Sequence, residues 1–164
     1  MIINKCWSIE PLQVSASSEM AIIAQLAHSH PMSESTIMSC FGHLYRVSGI
    51  YCDGVLAGFA IVHQIFEEAT LMDICIAPEH QGQGLGKALL LSLIEDVKVH
   101  EVDKVFLEVR ASSKGAQQLY RRCGFKQTGI RKGYYKTSII ENNSQQISGV
   151  EDAVLMELDM DALT

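Results

Sequence analysis

Seven residues near the middle of the chain, Gln81-Gly82-Gln83-Gly84-Leu85-Gly86-Lys87, carry the clearest chemistry in the sequence. They follow an apolar, β-branched run and lead into a helical repeat, so they bend the chain from a strand into a helix. Glycines let a backbone approach a ligand, and the first amides of a helix have no partner within it. With the helix dipole they make a site for a phosphate or diphosphate, to which Lys87 adds the turn's side-chain cation. Two well-known phosphate loops do not fit. A dinucleotide fingerprint starting at Gly82 needs glycine where Lys87 stands, and a P-loop ending in Gly86-Lys87 needs glycine and Ser/Thr where Gln81 and Ala88 stand.

The other reactive side chains are scattered. Cysteines stand at 6, 40, 52, 75 and 123, an odd number with no C-x-x-C pair. That argues against a disulfide framework and a zinc knuckle, and it fits a reducing compartment. His28 and His30 could start a metal site, but no third ligand lies nearby, so none is expected. In Val105–Arg110, alternation puts Phe106, Glu108 and Arg110 on one face and Val105, Leu107 and Val109 on the other. Glu108 therefore points into a cleft or into solvent, and periodicity alone leaves both open.

These residues need elements to position them. Trp7–Glu10 alternates and stops at Pro11, which predicts a short strand. Ser17 or Ser18 can cap a helix to about His28, and Ser33 a second to about His43. Asp53-Gly54 signals a hairpin between strands Tyr45–Cys52 and Val55–Gln64. Ala69–Ile76 reads as a strand and Leu85, Leu89, Leu93 and Val97 as a helix stripe. Val105–Arg110 is another strand, followed by a short helix that Gly124 closes. Lys126–Lys136 and Asp152–Leu158 read as a final antiparallel pair. Thr137–Gly149 between them, rich in Asn, Gln and Ser, reads as a mobile loop. The order β-α-α-β-β-β-α-β-α-β-β predicts an α+β fold. Its central sheet is mixed and mostly antiparallel, with one parallel β-α-β step and helices on both faces.

A length of 164 residues, 48% hydrophobic and 20% charged, suits one globular domain over 1–164 and excludes global disorder. The longest apolar candidates, Ala57–Val62 and Ala88–Ile94, fall short of the ~18 residues of a membrane span, and no secretory signal is evident, so a cytoplasmic protein is expected. A net charge of −6 suits a basic partner and argues against direct binding of nucleic acid.

What does fit the turn is Q-x-x-G-x-G, which resembles the diphosphate loop of the GNAT superfamily of N-acetyltransferases. Glu68-Ala69-Thr70-Leu71, Leu107-Glu108-Val109-Arg110-Ala111-Ser112, Leu119-Tyr120 with Gly124-Phe125, Tyr134-Tyr135 and Glu151-Asp152-Ala153 extend the likeness. Together they are similar to the bacterial ribosomal-protein-alanine N-acetyltransferases, most densely over 68–135.

The resemblance implies acetyl-CoA as cosubstrate and no metal. Its diphosphate would sit on the amides of Gly82, Gln83, Gly84, Leu85, Gly86 and Lys87, and its pantetheine arm would pair with the backbone of Ile74-Cys75-Ile76. Cys75 has no His at a suggestive spacing, and the family transfers acetyl directly. Glu108 matches the general base and Tyr120 the general acid, while Tyr134 and Tyr135 fall near where relatives admit the substrate N-terminus. A model α-amine of pKa ≈ 7.7–8.0 is roughly a tenth neutral at pH 7, against well under a thousandth for lysine at ≈ 10.4, so an α-amine asks less of the base.

Three positions depart from the pattern. Ser113 stands where relatives usually carry Asn for the cofactor, Met32 where they often show an aromatic, and Thr137–Gly149 is longer than the norm. The expected function is acetylation of a protein N-terminal α-amine, alanine of the eighteenth small-subunit ribosomal protein being the first candidate, by a monomer or weak dimer. A small amine, a polyamine or a protein lysine is the alternative substrate, and a non-catalytic CoA-binding module the alternative of another class.

Overall fold

The computed structural model describes residues 6–140 and 146–163. The chain divides into two compact units, residues 1–103 and 104–164.

The first unit holds strands β1 (Trp7–Pro11), β2 (Tyr45–Cys52), β3 (Val55–Ile65) and β4 (Glu68–Ile76), with helices α1 (Ser17–Ala27), α2 (Glu34–Met38) and α3 (Leu85–Val99). The strands pair antiparallel in the order β1-β2-β3-β4. Asp53-Gly54 makes the predicted hairpin between β2 and β3. Leu56 to Val62 are buried without interruption, so both faces of β3 are covered, as a central strand requires. Phe59 and Ile61 join Met20, Ile23, Ala24 and Ile37 in one core. Ala60 and Val62 point the other way. Helix α3 also packs on β3 but gives none of its buried leucines to that core.

Capping follows the sequence at one helix and departs from it at another. The Ser33 hydroxyl accepts from the Thr36 amide at 3.2 Å and starts α2, which passes into a 3-10 turn ending at Phe41 rather than reaching His43. Ser17 does not cap α1. It is the first helical residue, and its hydroxyl donates to the Val14 carbonyl at 2.6 Å because a 3-10 turn over Val14–Ala16 already leads into the helix.

The second unit holds β5 (Lys104–Arg110), α4 (Lys114–Arg122), β6 (Lys126–Ile140) and β7 (Gln146–Asp159), with strands in the antiparallel order β5-β7-β6. Burial in β5 alternates as predicted: Val105, Leu107 and Val109 are buried, and Phe106, Glu108 and Arg110 are half-buried.

One expectation is corrected here. Much of Thr137–Gly149 is paired strand, not loop: Thr137 pairs with Gly149, Ser138 with Ser148, Ile139 with Ile147 and Ile140 with Gln146. Main-chain bonds between hairpin strands do not require apolar alternation, so a polar composition hid them. Residues 141–145 lie outside the described residues. No described helix is long and apolar enough to cross a membrane.

Candidate active site

In the first unit, the glycine turn is built as its residue types demand. The Gln81 side-chain amide donates to the Ile76 carbonyl at 2.9 Å, tying the turn to the end of β4. Gly82 and Gly84 have φ of +74° and +81°, in the left-handed region, and a Cβ at either would meet nothing within 4 Å. Glycine is needed there for the backbone path, not for space. Gly84 is the N-cap of α3, and its carbonyl accepts from the Ala88 amide at 3.0 Å. The intervening amides of Leu85, Gly86 and Lys87 fall in the first turn, where a helix supplies no acceptor. Neither a capping side chain nor an acid occupies that turn. It suits an external anion. The Leu85 side chain is buried and anchors the turn, while Gly82, Gln83, Gly84 and Lys87 are exposed.

Ile74, Cys75 and Ile76 form the last residues of β4, opposite Ala60, Phe59 and Gly58 of β3. Cys75 points into the core beside Phe59. Burial, helped by the nearby Asp73 carboxylate, pushes its thiol up to about 12, so it does not supply a thiolate nucleophile near neutral pH. The β3–β4 register shifts at Ile61/Val62. His28 at the end of α1 reaches Asp73 of β4, Nε2 to Oδ1 3.1 Å, and His30 Nδ1 meets the Ser29 hydroxyl at 3.0 Å. Each of the two histidines thus has a local partner. Among the described residues no three His, Cys, Asp or Glu side chains group to hold a metal.

In the second unit, Glu108 is about one-third exposed, and its Oε1 lies 3.4 Å from Nη2 of Arg131. Arg110, two residues along β5, donates to Glu151 Oε1 at 2.8 Å, and the Ser112 amide donates to Oε2 at 3.2 Å. The Arg110 bond and those from Ser112 hold the Glu151 carboxyl below the usual range. Arg110 also lies over the Tyr135 ring at 4.4 Å and Arg131 over Tyr134 at 5.1 Å, cation–π contacts on two neighbouring tyrosines. The two tyrosine rings meet edge to face at 5.0 Å. Burial raises the Tyr135 phenol, with the Glu108 charge adding to it.

Tyr120 sits on α4, buried to 8% exposure, its ring 5.8 Å from Phe125. Its helix is fixed by Gln117, a buried polar residue whose amide donates at 3.0 Å to both the Arg110 and Ala111 carbonyls. Ser113 is the N-cap of α4. It is half-buried and makes no side-chain capping bond.

Sequence reasoning assigned no role to Arg110, Arg131, Glu151, Gln117 or Gly58. Their partners lie on other elements, so no local spacing signals them. Glu151 and Arg110 had a flag, inside the Glu151-Asp152-Ala153 and Leu107-Glu108-Val109-Arg110-Ala111-Ser112 runs.

A family model described as the acetyltransferase (GNAT) family matches residues 17–125. The chain is 40% identical over 136 residues to the [ribosomal protein bS18]-alanine N-acetyltransferase of Escherichia coli K12, covering 83% of this chain and 86% of that one. It is 38% identical over 134 residues to the Haemophilus influenzae enzyme of the same name, covering 82% and 86%. The crystal structure of the ribosomal-protein-S18-alanine N-acetyltransferase from Escherichia coli superposes with a TM-score of 0.85 at 37% identity, covering 94% of each chain. An Elizabethkingia anophelis family member solved with acetyl-CoA bound shares the fold at TM-score 0.73 and 23% identity, covering 93% of this chain and 97% of that one. The α+β expectation agrees with these folds.

Proposed function

The chain belongs to the acetyltransferase (GNAT) family, and on that premise we propose that it moves acetyl from acetyl-CoA to the N-terminal α-amine of a protein, alanine of ribosomal protein bS18 in the first instance. The substrate rests on the relatives that carry that activity in their names. The acetyl-CoA reading is carried by the turn Gln81–Lys87, where left-handed glycines open an uncapped helix. The family match crosses the boundary between the two units, which supports one catalytic domain over 1–164.

In this reading the amides of Gly82 to Lys87 hold the diphosphate and Lys87 adds a cation. The backbone of Ile74-Cys75-Ile76 pairs with the pantetheine arm, and the Ser113 hydroxyl makes a shorter version of the relatives' Asn contact. Tyr134 and Tyr135 bind the substrate N-terminus. Glu108 accepts a proton from the α-ammonium, directly or through one water. The neutral nitrogen then attacks the thioester carbonyl, a C–N bond forms, and the C–S bond breaks. Tyr120 donates its phenolic proton to the departing thiolate and is restored by the second proton that the nitrogen sheds on becoming an amide. Cys75, buried and protonated, takes no covalent part. The protein would act in the cytoplasm as a monomer or weak dimer, its −6 charge favouring a basic ribosomal partner.

The test offers acetyl-CoA with an alanine-leading basic peptide, an α-blocked copy carrying an internal lysine, and small amines including a polyamine. Turnover on the free α-amine alone is expected. Turnover confined to the small amines or to the lysine would overturn the substrate assignment, and binding of CoA with no turnover on any of them would indicate a binding module.

A further inference from the structure

Strand β6 departs from regular pairing at two places, between Gln127 and Gly129 and, more widely, between Arg131 and Tyr135. Arg131 is opposite Ala153 and Tyr135 is opposite Glu151, so Lys132, Gly133 and Tyr134 all face the single residue Asp152. The Asp152 carboxylate closes this bulge by accepting from the Gly133 amide at 2.9 Å.

Arg131 flanks this bulge and keeps its place opposite Ala153. Its guanidinium packs over the Tyr134 ring and approaches Glu108 Oε1 at 3.4 Å. Glu108 is on β5, with β7 lying between it and β6. Cross-strand neighbours share a face, so Arg110, Ala153 and Arg131 form one row of that face, and Glu108, Leu155 and Gly129 the next. The small methyl of Ala153 and the bare Gly129 leave room for Arg131 to reach across the middle strand toward Glu108.

We propose that Arg131 is a positioning residue for Glu108, taking one carboxylate oxygen and so directing the other to the amine proton. This rests on the reading of Glu108 as the base. Arg131 is 55% exposed on its side chain, so the pair adds little to stability, and its value lies in orientation. The Tyr134 ring, 5.1 Å away, also holds the guanidinium.

The test is a double-mutant cycle with acetyl-CoA and an alanine-leading peptide, using R131Q, R131K, E108Q and R131Q/E108Q, each checked for an unchanged melting temperature. R131Q is expected to lower kcat roughly threefold to tenfold with the KM for acetyl-CoA unchanged. R131K should recover part of the loss. In the E108Q background R131Q should have no further effect, because there is no carboxylate left to orient. An equal loss in both backgrounds would overturn the proposal and place Arg131 elsewhere in substrate binding. So would an unchanged kcat in R131Q alongside a strongly impaired E108Q. Wild-type kcat in E108Q would overturn the base assignment itself, and the proposal with it.

Discussion

A Cβ on Gly58 would stand 2.5 Å from the carbonyl oxygen of Cys75 and 2.5 Å from Cδ1 of Ile76. The close approach of β3 to the end of β4 therefore depends on a missing side chain. The backbone held this way is the stretch proposed to pair with pantetheine, so one glycine sets the position of a segment whose own side chains need no particular chemistry.

Gly58→Ala is expected to destabilise the protein by about 1–3 kcal/mol, the usual cost of overpacking against backbone. It should also raise the KM for acetyl-CoA. Chemical denaturation and steady-state kinetics check the two effects. A variant unchanged in both would mean that β3 and β4 can separate freely here.

Gly84→Ala tests the anion turn by another route. Its Cβ would meet nothing within 4 Å, so the cost is conformational, about 1–2 kcal/mol for a left-handed residue with a side chain. Relaxing that strain re-aims the amides at the start of α3. The KM for acetyl-CoA should rise roughly tenfold, since about 1.4 kcal/mol of lost binding is a factor of ten. Unchanged KM with intact folding would remove the turn from cofactor binding.

Tyr120 has two jobs to separate, because a phenol buried against Phe125 also packs. Tyr120→Phe keeps the ring and removes the hydroxyl. The fall in kcat should exceed any rise in the KM for acetyl-CoA, as expected for a group acting in the transition state. A change seen only in melting temperature would assign Tyr120 to packing.

The Glu151 carboxyl is held low by Arg110 and Ser112. A carboxyl lowered on folding contributes stability above its unfolded pKa of about 4.3 and loses it as the pH falls through the folded value. Glu151→Gln should therefore cost about 1 kcal/mol at pH 7, the typical net worth of one hydrogen bond, because the amide keeps an acceptor for Arg110 and loses the charge. The gap to wild type should narrow below about pH 4. Denaturation at several pH values reads this directly, and a gap that stays constant into acid would contradict the pairing.

Local patterns carried much of the architecture. Alternation in Val105–Arg110 put Glu108 on the face where it is found, and the turn Gln81–Lys87 announced both its bend and its helix. Patterns failed where the decisive partner lies far along the chain. Arg131 meets Glu108 across a middle strand, Gln117 is buried to bond two carbonyls at the end of β5, and Gly58 is set by the neighbouring strand. They failed again over Thr137–Ile140 and Gln146–Gly149, where composition suggests a loop and main-chain pairing makes strand. No residue type or local spacing encodes such contacts, because they depend on which strands become neighbours.

The central claim is acetylation of a protein N-terminus, and mass spectrometry of a mixed pool of ribosomal proteins incubated with the protein and acetyl-CoA tests it most directly. The account predicts one acetyl group on the α-amine of bS18 alanine, with the lysine side chains of the pool untouched. Acetyl on lysines with the bS18 terminus still free, or a pool left unmodified while a polyamine is consumed, would contradict it.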